Sequence, residues 1–367
     1  GLKNIDPKKL FEIIPYTVGK SEFSTKEAGN PFETGQDYTA NGGVDIKYGI
    51  NSSLILDLTV NPDFGQVEVD PARINLSAAE NYYSEKRPFF IEGANIFRFG
   101  NGGANSNWGA NWGNPRFFYS RRIGRSPRGY VDSDGYVRYP DWTTILTAAK
   151  VSGKIGKGWN LGFMTALTER EYAEVDLNGE RSEVEVEPFS NYSVLRLTRE
   201  FNDGRQGLGI IATSVARQLN DDNGNALSDI LNRNAFSFGI DGWTFLDKKK
   251  VWVATGWLGS TSVSGTKERI TSLQRSYPHY YQRPDVGHLG VDEDATRLDG
   301  YSGRFTINKQ NGNFQFNAAF GFISPGFDST DMGFQWGGDV FNWHIMAGYR
   351  YFKKWGIIKN WQVNVLT

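Results

Sequence analysis

From about Thr144 to the end of the chain, apolar and polar residues alternate with a period of two. In one such stretch Phe314, Phe316 and Phe320 share a face, whereas Gln315 and Asn317 share the other. This alternation is typical of β-strands, whose successive side chains point to opposite sides of a sheet. One face is apolar and aromatic, and the other is small or polar. The predicted strands are 144–153, 157–168, 190–201, 206–216, 235–245, 250–259, 298–308, 313–323, 338–352 and 361–367.

The connections between these segments alternate in length. Short turns fall at 153–156, 202–205, 247–249 and 310–312, and long polar gaps at 169–189, 217–234, 260–297 and 324–337. Strands of about ten residues with alternating short and long connections are typical of outer-membrane barrels. The pattern therefore predicts an all-β fold, a transmembrane antiparallel outer-membrane β-barrel with lipid on the apolar face and a lumen on the polar face.

A soluble β-sandwich or β-propeller is the alternative, because alternation alone does not distinguish lipid from a protein core. Soluble barrels usually place the polar face outside and small apolar residues inside. Here the apolar face is bulky, and the opposite face is rich in Gly, Asn, Ser and Arg. This difference favours the membrane barrel.

The first 143 residues have a different character. The pattern there predicts a strand at 12–18 and a hairpin formed by 43–50 and 53–60. A long irregular stretch follows, in which only 74–83 suggests a short helix. An irregular segment of this length inside a fold is usually functional, and at membrane depth protein or water must surround it. We predict first barrel strands and a linker from a missing N-terminal domain at 1–60, a luminal or periplasmic insertion at 61–128, and up-and-down strands at 129–367.

Composition narrows the function classes. Forty Lys and Arg residues balance 41 Asp and Glu residues, so the net charge of −1 argues against a nucleic-acid partner. Aromatic residues make up 14% of the chain, and 43 residues are glycine. The absence of cysteine excludes disulfides, thiolate catalysis and cysteine-based metal sites.

Long motifs carry a family resemblance. NPDFGQVEVDPARINLSAAE at 61–80, EKRPFFIEGANIF at 85–97 and FYSRRIGRSP at 118–127 are followed by two shorter motifs at 324–327 and 331–334. Together they resemble the domain-of-unknown-function 5916 family. The resemblance implies a β-barrel of the bacterial outer membrane, from Bacteroidota-like bacteria, usually with an upstream domain similar to family-9 carbohydrate-binding modules. It also implies a barrel that is incomplete at Thr367, and it assigns no reaction.

Catalytic and metal-binding motifs do not appear in the sequence. His279 and His288 share the gap 260–297 with several aspartates, but their spacing matches no ligand pattern, so we expect a solvated loop. His344 alternates with apolar neighbours and is expected to face the lumen. We therefore predict a protein that is not an enzyme and that has no metal and no cofactor.

A basic cluster is the strongest candidate site. Its five arginines fall within thirteen residues and alternate with aromatic residues, and acidic residues of the insertion precede them. The candidate residues are Arg116, Arg121, Arg122, Arg125 and Arg128, with Asp63, Glu68, Asp70, Glu85 and Glu92. One hypothesis is an anion or sugar site built from guanidinium forks and aromatic rings. The other, which we favour, is an internal ion-pair network in which at least two of the arginines pair with carboxylates of the insertion.

The predicted function is an outer-membrane β-barrel protein that acts as a channel, a transporter component or a scaffold subunit of an outer-membrane complex. The alternative is a secreted or surface all-β protein that binds or processes carbohydrate. The expected partners are outer-membrane lipid, other outer-membrane or periplasmic proteins, and a glycan.

Overall fold

The structure, a computed structural model, describes residues 10–33, 35–62, 74–77, 79–104, 111–220, 227–353 and 356–367. About half of these residues lie in β-strands. The strands are β1 (Phe11–Phe23), β2 (Gln36–Asn51), β3 (Leu54–Val60), β4 (Tyr136–Arg138), β5 (Ile145–Gly156), β6 (Trp159–Thr168), β7 (Glu171–Leu177), β8 (Glu180–Glu187), β9 (Ser190–Phe201), β10 (Gln206–Arg217), β11 (Asn234–Phe245), β12 (Trp252–Ser264), β13 (Arg297–Lys309), β14 (Phe314–Ile323), β15 (Val340–Tyr351) and β16 (Trp361–Leu366). The helices are α1 (Pro88–Ile91), α2 (Leu227–Ile230) and α3 (Lys267–Arg275), with 3-10 turns at Ala94–Phe97 and Ser120–Arg122.

Thirteen strands form one antiparallel sheet in the order β1-β2-β3-β5-β6-β9-β10-β11-β12-β13-β14-β15-β16. Each strand pairs with the next main strand along the chain, which makes an up-and-down sheet. Strands β4, β7 and β8 form a separate small sheet. Within the described ranges β1 and β16 are the two edges, so these strands form an open sheet and not a closed barrel.

Successive connections alternate between the two ends of the sheet. At one end, which we call the short-turn end, β5 joins β6 and β9 joins β10 through a few residues. At the other, the long-connection end, lie the residues between β3 and β5, β6 and β9, β10 and β11, β12 and β13, and β14 and β15. The insertion 61–128 therefore leaves and rejoins the sheet at the long-connection end.

The structure confirms the ten strands predicted after Thr144, with differences of a few residues at their ends. The gap 169–189 was expected to be a polar loop, but it contains β7 and β8, whose many glutamates hide the strand pattern. The predicted helix at 74–83 is wrong, because its described residues are not helical. There the Asn75 side chain accepts a hydrogen bond from the backbone N–H of Ser77, a local turn that competes with a helix.

The two faces of the sheet have opposite environments. On the outer face Phe238 and Leu258 are 48% and 54% exposed. On the inner face Arg196, Asp241 and Asn317 are all buried. The apolar face is thus the exposed one, and the polar face is the packed one.

The described part of the insertion covers the inner face from β5 to β15. Lys150 of β5 donates hydrogen bonds to the carbonyl oxygens of Phe89 and Glu92 at 2.7 and 2.8 Å. Asn342 of β15 donates to the carbonyl of Asn111 at 2.9 Å. Between these two points, Phe117 of the insertion packs on buried apolar residues of the inner face.

Glycine makes this close packing possible. At Gly259 of β12 a Cβ atom would collide with the ring of Phe117, and at Gly239 of β11 it would lie 2.5 Å from the ring of Phe99. Side chains at these positions would push the insertion off the sheet. Part of the glycine excess therefore provides space for aromatic rings of the insertion.

Candidate functional site

A cavity of about 1190 Å³ lies between the insertion and the inner face. The sheet residues that line it include Asn160, Glu200, Trp243, Thr255 and Thr306. All five lie in the halves of their strands nearest the short-turn end. The insertion and the apolar core fill the other half of the interior, so the cavity occupies the half beside the short turns.

One buried ion pair forms part of the cavity wall and anchors the insertion. Arg196 of β9 donates from Nη1 and Nη2 to the two carboxylate oxygens of Asp241 of β11, at 2.7 and 2.8 Å. Arg196 Nε also donates to the carbonyl of Arg98, and Asp241 accepts from the backbone N–H of Gly100. Both side chains are almost fully buried. The pair therefore fixes the backbone of the insertion to two strands at once.

Indole rings form much of the remaining wall. The ring of Trp243 packs against Gly102 and Gly103 of the insertion, and Trp257 packs against Gly100. The guanidinium of Arg304 lies 5.0 Å from the ring centre of Trp112. The cavity thus combines flat aromatic surfaces with charged groups, a combination that can hold a polar organic molecule.

Three of the five predicted arginines contact the 80–84 stretch, and Arg116 and Arg122 also contact the connection between β14 and β15. Arg122 pairs through both Nη atoms with Glu80 at 2.6 and 2.7 Å, and its Nε donates to the carbonyl of Gly333. Arg116 lies over the ring of Tyr82 at 4.3 Å and donates to its hydroxyl. Arg121 donates to the carbonyl of Ser84.

The other two arginines lie elsewhere. Arg128 pairs with Glu187 of β8 at 3.4 Å, and Arg125 precedes it where the insertion returns to the sheet. The five side chains therefore do not converge on one site. Among the described residues, Arg122 pairs with a carboxylate of the insertion and Arg128 with one outside it.

The predicted acidic residues are also dispersed. Glu85 accepts hydrogen bonds from Arg87 at 2.8 Å and from the Ser120 hydroxyl at 2.6 Å, while Glu92 pairs with Lys47 of β2 at 2.6 Å. Asp63, Glu68 and Asp70 lie outside the described residues. Burial acts to raise the pKa of Glu85, but the hydrogen bonds and charge of Arg87 outweigh it and lower this pKa to about 2.

Sequence reasoning missed the charged residues that point inward from the strands. Arg196 lies between Leu195 and Leu197, so the alternation of the strand places it on the polar face. This placement was the signal in the sequence that could have identified it.

The expectation for His279 is wrong, because the loop that was expected to be solvated is packed at this residue. Its Nδ1 lies 2.7 Å from the carbonyl oxygen of Pro325, and its Nε2 lies 3.4 Å from Asp328. His288 is exposed, and His344 points to the inner face.

Two further observations concern only the described parts of the chain. No helix in them has both the length and the apolar character needed to span a membrane. No cluster of three or more His, Asp or Glu side chains in these ranges is arranged to hold a metal ion.

Comparison with solved structures gives distant matches. The outer-membrane protein OmpT of Vibrio cholerae, folded in vitro, is 10% identical with a TM-score of 0.32, over 98% of this chain and 95% of that one. The outer-membrane channel DcaP of Acinetobacter baumannii is 10% identical with a TM-score of 0.34, over 95% and 99%. TM-scores of this size carry no conclusion about function.

Among curated proteins, none matches the chain. The model of one family, described as a domain of unknown function, DUF5916, matches residues 7–367. That match spans nearly the whole sequence and includes the motifs at 61–80, 85–97 and 118–127. The chain therefore belongs to the DUF5916 family.

Proposed function

We propose that this chain belongs to an outer-membrane β-barrel protein, in which its large sheet forms part of the barrel wall and its insertion forms a plug. The observation that carries the proposal is the reversal of the two faces of the sheet, with large apolar side chains such as Phe238 exposed and charged ones such as Arg196 buried. A soluble protein would leave this apolar surface in contact with water, at a cost of about 25 cal/mol per Å². Outer-membrane lipid is the partner that removes this cost.

The insertion acts as the plug in this proposal. Its anchors run from Lys150 on β5 to Asn342 on β15, so it crosses most of the described interior. Long connections of outer-membrane barrels are extracellular. The plug would then enter from the cell exterior and leave the cavity facing the periplasm. A plugged interior suits a gated channel or transporter component better than an open pore.

The way in which the interior charges are used supports a role without enzymatic chemistry. Arg196 and Asp241 satisfy each other, as do Glu85 and Arg87. Groups held in such pairs serve to fix the plug. We extend the proposal to a protein that binds or passes a molecule without transforming it.

A second candidate is a surface protein that binds carbohydrate. The indoles of Trp112, Trp243 and Trp257 around the cavity favour it, because aromatic faces and guanidinium groups suit a sugar. This candidate requires no lipid around the sheet. It leaves the exposed band that includes Phe238 and Leu258 without a partner.

Extraction of the full-length protein tests the barrel. We expect it to partition with detergent and to migrate differently on a denaturing gel before and after boiling, because barrels resist unfolding by detergent at room temperature. A protein that stays in the aqueous phase and migrates identically under both conditions would contradict the barrel and favour the sugar-binding candidate.

An engineered disulfide tests the plug, because these 367 residues contain no cysteine that would compete with the introduced pair. A Cβ atom built on Gly93 would lie 3.7 Å from Cβ of Ser152 on β5, within the usual range of a disulfide. Gly93→Cys with Ser152→Cys should form a disulfide, despite a cost of about 1–2 kcal/mol for the positive φ of Gly93. Gly93→Cys with Ser182→Cys, on the exposed part of β8, is the control pair and should not.

Conductance in planar bilayers then separates a plug from an open pore. In mild urea the reduced protein should conduct more than the oxidised protein, because only the reduced plug can leave the inner face. Equal conductance of both forms at every urea concentration would contradict the plug.

A further inference from the structure

Three guanidinium groups belong to one corner of the molecule at the long-connection end. Arg125 and Arg128 lie where the insertion returns to the sheet, and Arg217 is the last residue of β10. The side chain of Arg217 is fully buried, and that of Arg128 is 21% exposed. The corner therefore has a buried end and an end that solution can reach.

Two carboxylates form ion pairs with two of these three cations. Arg217 Nη1 lies 2.7 Å from Asp331, and Arg128 Nη2 lies 3.4 Å from Glu187. Glu187 also accepts from the backbone N–H of Arg128, and Asp331 also accepts from the amide of Asn232. Both carboxylates are thus already occupied, and the group has one positive charge in excess.

Within the described parts of the chain, several buried guanidinium donors lack an acceptor. These are Nε of Arg125, Nε of Arg128, and both Nε and Nη2 of Arg217. Buried donors are nearly always paired in folded proteins, and donors of a charged group are the most costly to leave unpaired. Four such donors on three neighbouring side chains indicate a missing acceptor with several oxygens.

The electrostatics of the corner agree with this requirement. Burial, followed by the charges of Arg128 and Arg122, lowers the pKa of Arg125 to about 9. Arg269 of α3 adds another cation beside Arg128 and Arg217. Asp328, a carboxylate that interacts with Arg269, is contacted by His279. Counting only the residues that the structure describes, this corner is therefore short of negative charge.

We propose that Arg125, Arg128 and Arg217 bind a small oxyanion, of the class of phosphate, sulfate or a simple carboxylate. Planar guanidinium forks match the oxygens of such anions in geometry and charge. A lipid headgroup is not the source we infer, because Arg217 points to the inner face of the sheet, away from the exposed apolar face. The proposal does not depend on the plug or on membrane insertion.

Thermal unfolding of the full-length protein in lipid-free detergent tests the site. Phosphate and sulfate are each titrated at constant ionic strength, with chloride as the compensating salt. We expect a saturable rise in Tm of about 2–4 °C, since a ligand that binds only the folded state stabilises it. A rise that does not saturate, or no rise at all, would contradict the anion site and would mean that water satisfies the free donors.

Variants of Arg125 distinguish anion binding from a structural role. Arg125→Gln should abolish the anion-dependent rise and increase the Tm measured without phosphate, because it removes an uncompensated charge. Arg125→Lys should keep a rise but require about tenfold more phosphate, because the fork is lost. Arg138→Gln, whose partner Glu174 lies in the small sheet, is the control and should behave like wild type. An unchanged phosphate response in Arg125→Gln would overturn the proposal.

Discussion

The inner and outer faces of the large sheet are built from the same strands but follow opposite rules. On β11 Phe238 and Ile240 point outward and are exposed, while the next residue, Asp241, points inward and is buried in an ion pair. In a soluble sheet the apolar residues would be the buried ones. The difference indicates that the environment outside the sheet is less polar than the space inside it.

The contrast extends to how each face is stabilised. The inner face is held by long-range polar contacts with the insertion, such as that between Thr255 and the carbonyl of Gly102. The outer face has cross-strand aromatic contacts, such as that between Phe320 and Phe341, whose ring centres are 4.8 Å apart. Changes on the inner face should therefore affect how the insertion is held, and, in the proposed barrel, changes on the outer face should affect entry into the membrane.

The largest effect is expected on the inner face. Arg196→Leu leaves Asp241 buried and unpaired and should reduce the free energy of unfolding by about 3–5 kcal/mol, measured by urea titration in detergent. The double variant Arg196→Leu with Asp241→Leu should recover part of this loss. Arg138→Leu breaks an exposed pair and should cost less than about 1 kcal/mol. If Arg196→Leu reduced the free energy of unfolding as little as Arg138→Leu does, the Arg196–Asp241 pair would not be an anchor of the insertion.

A smaller effect is expected on the outer face. Phe238→Arg puts a cation in the middle of the apolar band and should cost about 2–4 kcal/mol when folding into lipid bilayers is measured. Leu246→Arg, in a short turn, is the depth control and should cost about 0–1 kcal/mol. Equal free-energy costs at both positions would mean that the cost does not depend on depth in the membrane. That result would contradict a bilayer around β11.

The smallest effect concerns Glu85 of the insertion. Its pKa of about 2 in the folded protein lies below the ordinary value of 4.5, so its contribution to stability is present above pH 4.5 and is lost as the pH falls towards 2. Glu85→Gln should therefore destabilise the protein by up to about 3 kcal/mol at pH 7. The difference from wild type should disappear near pH 2, measured as free energy of unfolding. A difference that does not change with pH would contradict the pairing with Arg87.

Strands and faces were predictable because alternation is a local property of the sequence. Phe320 and Asn317 lie on the faces that the pattern assigns to them. The packing of the inner face was not predictable. An open lumen would tolerate Asn317→Arg, but Asn317 is fully buried and contacts both His344 and Asn308.

The path of the insertion depends on contacts between distant parts of the sequence. Asn342 and Asn111 are 231 residues apart, and no local pattern relates them. The arginine cluster shows the same limit. The 3-10 turn at Ser120–Arg122 and the positive φ of Gly124 change the chain direction between Arg122 and Arg125. Residues that are close in sequence therefore belong to different groups in the fold.

Spin-label accessibility along β11, in the full-length protein reconstituted into liposomes, tests the central claim most directly. Single cysteines at Phe236, Phe238 and Ile240 should give labels that collide readily with oxygen, which concentrates in lipid, and poorly with a water-soluble nickel complex. A label at the inner position Ala235 should be protected from both reagents. High nickel accessibility at 236, 238 and 240 would show water on the apolar face and would contradict the account.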